Sequence, residues 1–257
     1  MNKRLLLASV LIAPISAYGE NCRYSKDYDF AVDAASLQSL QMDVGAGELV
    51  ITGDSASNEI RVAATACASS MNRLEELDLR HRVRGSELFV RTERYRSGGI
   101  LSWLSFGSNY SHINIEVLMP SDLSLSVDDG SGSVEISNVS KLSLDDGSGS
   151  IVIKDISGNV AVDDGSGSIS ISGVGGIVSV NDGSGPIQIR NSNEVDIIDD
   201  GSGDISIENI HSNVDIRNDG SGGISIQDVA GNVEIGHSGS GSVDVRGVAG
   251  VYNNYDN

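Results

Sequence analysis

Aromatic side chains are scarce, at 4% of 257 residues with one Trp and three Phe, and Pro, Cys and His number only three, two and four. The histidines His81, His112, His211 and His237 are scattered, with no Ser/His/Asp or metal-ligand spacing. No Cys-x-x-Cys or Cys/His cluster accompanies the cysteines. The groupings that nucleophilic or zinc chemistry needs are therefore missing. Basic residues are also short, 17 against 36 acidic for a net charge of −19. Nucleic acid is disfavoured as a partner, because phosphate binding needs a basic surface. The apolar run from Leu5 to Ala13 is too short to span a membrane and no longer one follows, so no transmembrane segment is expected.

What the chain has is repetition. Asp-Gly-Ser-Gly occurs six times, beginning at Asp129, Asp146, Asp164, Asp182, Asp200 and Asp219, and a degenerate copy begins at Ser238. Steps of 17 to 19 residues are too regular for ordinary loops and read as one unit stacked on itself. After each Gly-Ser-Gly, one residue is skipped and two branched aliphatics appear two apart, from Val134/Ile136 and Ile151/Ile153 to Val243/Val245. A second pair precedes the turn, from Leu125/Val127 to Val233/Ile235. Period two with β-branched side chains means half-buried strands, two per repeat. In the last three copies an extra residue, Ile198, Arg217 or Gly236, separates this pair from the turn and reads as a bulge stacked from coil to coil. A third aliphatic follows the second strand in most copies, with Ser192 in its place in the fourth.

A coil that climbs about 4.8 Å per turn puts identical positions above one another. The expected fold is all-β, a single-chain parallel β-solenoid (β-helix) with coils of about 18 residues. Glycine at both ends of Gly-Ser-Gly would allow positive φ, and the preceding Asp would accept hydrogen bonds from turn amides. Carboxylates repeated at strand spacing also repel. They relax through such hydrogen bonds, through shifted pKa values or by binding calcium, so Asp129, Asp146, Asp164, Asp182, Asp200 and Asp219 are the candidate calcium ligands. The calcium β-roll repeat carries an Asp two places after its last turn Gly, where this chain carries an aliphatic. No other cofactor is expected.

Residues 1–19 read as a secretory signal: Lys3 and Arg4, the apolar run, then Ala17-Tyr18-Gly19 as the cleavage site. Its removal leaves 15 basic against 36 acidic residues, and from Asp128 onward the balance is 5 against 21. An exported chain with two cysteines implies one disulfide, Cys22 to Cys67, pinning the N-terminal segment to the first coils. Residues 20–257 read as one solenoid domain, with irregular N-terminal coils over 20–127, regular coils over 128–250 and a cap over 251–257, where two tyrosines would cover the last coil. Leu40 to Ile51 carries the repeat's pattern, with Val44 in the Asp place and Gly-Ala-Gly as the turn.

Two features interrupt the pattern. The inserted loop 97–111 is rich in Gly and Ser and carries Trp103 and Phe106. It either covers an exposed core edge or projects as a partner site. The second feature is a run of arginines in which Arg80, Arg82 and Arg84 would share one face of a strand, making a basic stripe in an acidic protein. Its alternatives are a solvated face offset by neighbouring acids or a partner surface.

The Gly-Ala-Gly-Glu-Leu-Val-Ile-Thr-Gly unit, the strand ending in Met119-Pro120 and the serial Asp-Gly-Ser-Gly coils together resemble bacterial β-strand-repeat families of unknown function labelled putative adhesins, including the head-GIN type. The resemblance covers about 37–250 and implies a β-solenoid in the envelope (periplasm or cell surface) or outside the cell. It supplies no catalytic residues. The expected role is non-catalytic: a rigid repetitive surface that binds an envelope protein or glycan. A polysaccharide-active enzyme is disfavoured, because its acids would need to sit in different environments and here they occupy identical turns. An ice-binding array is disfavoured by the varied outward positions Glu135, Val152, Ser170, Gln188, Ser206, Ser225 and Asp244.

Overall fold

The computed structural model describes residues 22–94 and 110–256. The expected signal segment lies outside them, as does most of the loop placed at 97–111. The first half contains β1 (Tyr24–Asp33), β2 (Ser39–Ala46), β3 (Leu49–Asp54), β4 (Glu59–Ala68), the short helix α1 (Met71–Glu75), β5 (Leu77–Arg84), β6 (Glu87–Arg94) and β7 (Ser111–Pro120). Strand β8 (Ser124–Ser137) then runs through its Asp-Gly-Ser-Gly turn from one sheet into the other.

Beyond it the coils alternate between two sheets. The back sheet continues with β9 (Lys141–Asp146), β11 (Val160–Asp164), β13 (Ile177–Asp182), β15 (Glu194–Asp200), β17 (Val214–Asn218), β19 (Val233–His237) and β21 (Tyr252–Asn254). The front sheet continues with β10 (Gly149–Ile156), β12 (Gly167–Val174), β14 (Ile187–Ser192), β16 (Ile205–Ile210), β18 (Ile224–Val229) and β20 (Val243–Val248). Every pairing in this part is parallel, and the result is a solenoid of about seven turns.

Register is set by which side chains must leave water. Val134, Ile151, Ile169, Ile187, Ile205 and Ile224 stack one coil apart in the front sheet, each 1% exposed or less. Leu142, Val160, Val178, Val195, Val214 and Val233 do the same behind them. A slip of one residue would turn each of these columns out to solvent, so burial fixes the stacking. The extra residue of the later coils is a bulge as expected: the pairing of β13 with β15 shifts between Val180 and Asn181, passing over Ile198, which is 41% exposed. Ser192 fills the place of the third aliphatic, fully buried, with its hydroxyl donating to the Arg190 carbonyl at 3.0 Å.

The turn glycines divide the expected work differently. Positive φ falls on the second glycine at Gly132, Gly149 (φ 150°), Gly167, Gly185 and Gly222, whereas the first, such as Gly147, has ordinary φ except at Gly239 of the degenerate copy. What excludes a side chain at Gly147 is the coil beneath: a Cβ there would lie 2.5 Å from the Gly130 carbonyl oxygen. At Gly149 both constraints act, because its Cβ would lie 1.5 Å from the Gly132 oxygen.

The N-terminal half departs from a worn copy of the same coil. Strands β2 and β3 do form one, pairing in parallel with β8, and Val44 stands in register with Asp129. Strand β4, however, lies antiparallel between β1 and β7, and β5 and β6 form an antiparallel hairpin. This arrangement closes one end of the stack. Phe30 of β1 stacks on His81 of β5 at 3.9 Å, and the Tyr28 hydroxyl donates to the Leu77 carbonyl at 3.1 Å, so the edges of the two sheets meet. Cys22 and Cys67 form the disulfide, which ties the start of β1 to β4. At the far end Tyr252 enters the core column above Val233 but remains 42% exposed, and Tyr255 is 67% exposed, so cover of the last coil is partial.

Candidate functional site

Three places carry the residues singled out from the sequence: the aspartate column, the arginine hairpin and the loop with Trp103 and Phe106. The last lies outside the described residues.

The repeat aspartates point inward. Alternation along β8 explains it: Leu125, Val127 and Asp129 share a face, so the second Asp of each Asp-Asp pair continues the core column and the first faces out. Asp129 is 4% exposed, Asp146 1%, Asp164 and Asp182 2%, and Asp200 and Asp219 are fully buried. Asp129, Asp146, Asp164, Asp182, Asp200 and Asp219 follow one another in register, a single coil apart. The expected turn role is present, since the Oδ1 atoms of Asp164 and Asp182 accept the amides of Ser166 and Ser184, each at 3.1 Å. It uses only part of each carboxyl. Turn amides also act on the other carboxyls, Gly130 on Asp129, Ser148 on Asp146, Ser202 on Asp200 and Ser221 on Asp219, while the second oxygen of Asp129, Asp164 and Asp182 has no hydrogen-bond partner.

Burial is the largest influence on their acidity, and neighbouring carboxylates add to it. Asp129 and Asp200 are pushed up to about 7 and Asp164 to about 6. Burial also raises Asp146, Asp182 and Asp219, against the opposing pull of backbone amides. Among the described residues no group of three or more His, Cys, Asp or Glu side chains converges as metal ligands would.

The arginines share one exposed face, as their alternation in the sequence implies. Arg80, Arg82 and Arg84 project outward from β5 beyond the buried Leu77 and Leu79. Arg91 stands opposite Arg80 in the hairpin and pairs with Asp43 at 3.5 Å. Arg80 is held by Asp78 at 3.0 Å and Glu93 at 3.2 Å. Arg82 lies over the Phe89 ring, 5.4 Å from its centroid. Phe89 and Arg91 are additions to the surface expected from the sequence; the hairpin register, which periodicity within one strand does not reveal, brings them in. Beside this face a cleft of about 210 Å³ opens between Val44, Leu77, Arg94 and Ile113.

The histidines are occupied structurally. His81 stacks on Phe30, His211 Nδ1 lies 3.1 Å from the Ser192 carbonyl, and His237 pairs with Asp256 at 2.8 Å. His112 lies against Tyr110, with ring centroids 6.0 Å apart.

With strand order, turn glycines and inward aspartates in view, the family model Toastrack DUF4097 matches residues 37–248. The chain belongs to the Toastrack DUF4097 family. The match begins two residues before β2 and closes with β20, so it spans the first coil, the antiparallel insertion and the regular stack. Solved structures that the chain matches include a putative adhesin from Bacteroides fragilis, 15% identical over 89% of this chain and 97% of that one, TM-score 0.43. Another is a putative cell adhesion protein from Clostridium sporogenes, 12% identical over 87% and 99%, TM-score 0.37. A third, from Parabacteroides distasonis, is described as a putative lipid binding protein and is 14% identical over 89% and 96%, TM-score 0.34. No curated protein matches the chain. The Toastrack assignment rests on the sequence match.

Proposed function

We propose that this Toastrack chain is a non-catalytic, exported envelope module that binds an anionic partner, glycan or protein, through the arginine face of the β5/β6 hairpin. The coil stack is its rigid support. The observation that carries this reading is charge placement: Arg80, Arg82, Arg84 and Arg91 gather on one exposed hairpin face of a chain whose net charge is −19. The acidic coil stack repels a polyanion, so the cluster of arginines on the hairpin, interleaved with Asp78, Glu87 and Glu93, is where one would be drawn. Arg82 over Phe89 adds a planar cation backed by an aromatic ring, a surface suited to stacking as well as ion pairing.

A non-catalytic role is supported by the uniformity of the acids. General acid-base chemistry needs two groups in contrasting environments, and the repeat aspartates share one environment from coil to coil. No helix of the described residues is long and apolar enough to cross a membrane. Export is supported by the signal-like first 19 residues and by the disulfide.

The test is co-sedimentation of the mature oxidised protein with an anionic envelope polysaccharide fraction, comparing wild type with Arg82→Glu/Arg84→Glu. These two are preferred to Arg80 because Arg80 also holds Asp78 and Glu93. Loss of binding with an unchanged unfolding midpoint supports the assignment, and unchanged binding removes the hairpin as the site.

A further inference from the structure

Two columns of acidic residues run side by side up the back sheet at the same coil spacing, and they handle repulsion differently. The outward column reads Asp43, Asp128, Asp145, Asp163, Asn181, Asp199, Asn218 and His237. It faces water and is interrupted by donors: Asn181 Nδ2 donates to Asp163 at 3.0 Å, Asn218 Nδ2 donates to Asp199, and Arg91 reaches Asp43 at 3.5 Å. The inward column holds six aspartates in succession with no Asn, Lys or Arg among them. It runs from Val44 at one end to Ser238 at the other.

Six ionised carboxylates about 5 Å apart inside a protein repel strongly, and each also loses its hydration. Turn amides engage one side of each carboxyl: those of Ser166 and Ser184 donate to Asp164 and Asp182 at 3.1 Å, and those of Gly130, Ser148, Ser202 and Ser221 act on Asp129, Asp146, Asp200 and Asp219. The remaining oxygens need donors, and the neighbouring side chains in the column are acceptors when ionised. A proton on one carboxyl supplies a donor and removes a charge in the same act.

We propose that the inward column from Asp129 to Asp219 is a proton-sharing file, in which carboxylic acids alternate with carboxylates and hydrogen-bond along the solenoid axis through neutral pH. The folded domain thus binds protons that its unfolded chain releases, and its stability reports the acidity of its compartment.

Charged groups around the file reinforce rather than oppose this state. Asp128, Asp145 and Asp199 flank it on the same strands, and Asp204 approaches Asp219 from the turn of the preceding coil. His237, on the next coil, is the one group of opposite tendency, acting on Asp219 alone. The front-sheet side chains that complete this interior are aliphatic, Val134, Ile151, Ile169, Ile187, Ile205 and Ile224. Burial first and then neighbouring carboxylates raise Asp129, Asp164 and Asp200, in the direction the file requires. Calcium is the competing occupant. It takes about six to eight oxygens, whereas the carbonyls of Asp129, Asp146, Asp164 and Asp182 already accept the amides of Gly147, Gly165, Gly183 and Gly201.

Two measurements on the mature, disulfide-bonded chain decide it. The first is infrared absorption of the wild type in D2O at about pH 7, where the file gives a protonated-carboxyl carbonyl band that disappears towards about pH 9. Absence of the band at pH 7 overturns the proposal without any variant having to fold. The second is urea unfolding of wild type and Asp164→Asn/Asp200→Asn, with chelator and with millimolar calcium. The wild-type unfolding constant should rise at least tenfold between about pH 5 and pH 6, the increment for one retained proton. The Asn variant, which carries a permanent donor where the proton sat, should unfold at higher urea than wild type at about pH 8 and show a shallower pH slope. A calcium-dependent rise in wild-type midpoint that the Asn variant loses would contradict the file and make the column a metal site.

Discussion

Asp200 and Asp219 form a parallel β-bridge one coil apart, both fully buried, and the turn amides of Ser202 and Ser221 that act on their carboxyls do not offset the effect of burial. In most proteins a paired or amide-bound aspartate has a lowered pKa, and acid weakens the fold. Here the sign reverses. Folded values raised above the unfolded one mean that the native column binds more protons, so its contribution to stability is greatest below about pH 4 and is lost as pH rises through about 6 to 7, whereas Asp78 and Asp256, both lowered, give the opposite slope in acid. Each retained proton changes stability by about 1.4 kcal/mol per pH unit. Urea midpoints should therefore decline from about pH 5 to pH 8 and level off above; midpoints that rise over that interval would contradict the assigned directions.

The two turn glycines should respond unequally to alanine. Gly149→Ala meets both a positive φ and the Gly132 carbonyl and should destabilise by about 3 kcal/mol or more. Gly147→Ala keeps an ordinary φ and needs the coils to part only enough to relieve a 2.5 Å contact, so its loss should be smaller. Denaturant unfolding of the two variants checks the order.

Removing the disulfide should act on the N-terminal end. Cys22→Ser/Cys67→Ser reopens a loop of sequence separation 45, a loss of about 4 kcal/mol in the chain-entropy model. Because β1 is an edge strand whose pairing partner is β4, hydrogen exchange should quicken first in β1, with β12 to β16 unchanged. Uniform loss of protection would show that the stack unfolds as one unit.

Core truncation in mid-stack should be severe. Ile171 is 1% exposed, between Ile153 and Ile189 in register. Ile171→Ala should lower stability by about 2 to 5 kcal/mol, since neighbours stacked above and below collapse little into the cavity.

The regular coils are legible in the sequence because each position recurs: Ile151/Ile153 and their equivalents announce the front strand, and Ile198, Arg217 and Gly236 announce the bulge. The inward aim of Asp129 is also written in the alternation Leu125, Val127, Asp129, but an Asp beside Gly-Ser-Gly has so ready a role in the turn that the period-two signal is easily passed over. The antiparallel β1/β4/β7 arrangement is not legible. Strands at Ile60 to Ala64 and Ile113 to Val117 have the same alternation whichever way they pair, and non-repeating segments carry no second copy to fix direction. The arginine face is legible by residue but incomplete, because Phe89 and Arg91 join it through a cross-strand register.

The most direct test of the binding account is the affinity of the mature protein for an anionic envelope polysaccharide as a function of salt. The account predicts binding that weakens steeply as ionic strength rises past about 0.15 M, where screening reaches about 8 Å, and that is lost in Arg82→Glu/Arg84→Glu at unchanged stability. Salt-independent binding, or full binding by the variant, would contradict it.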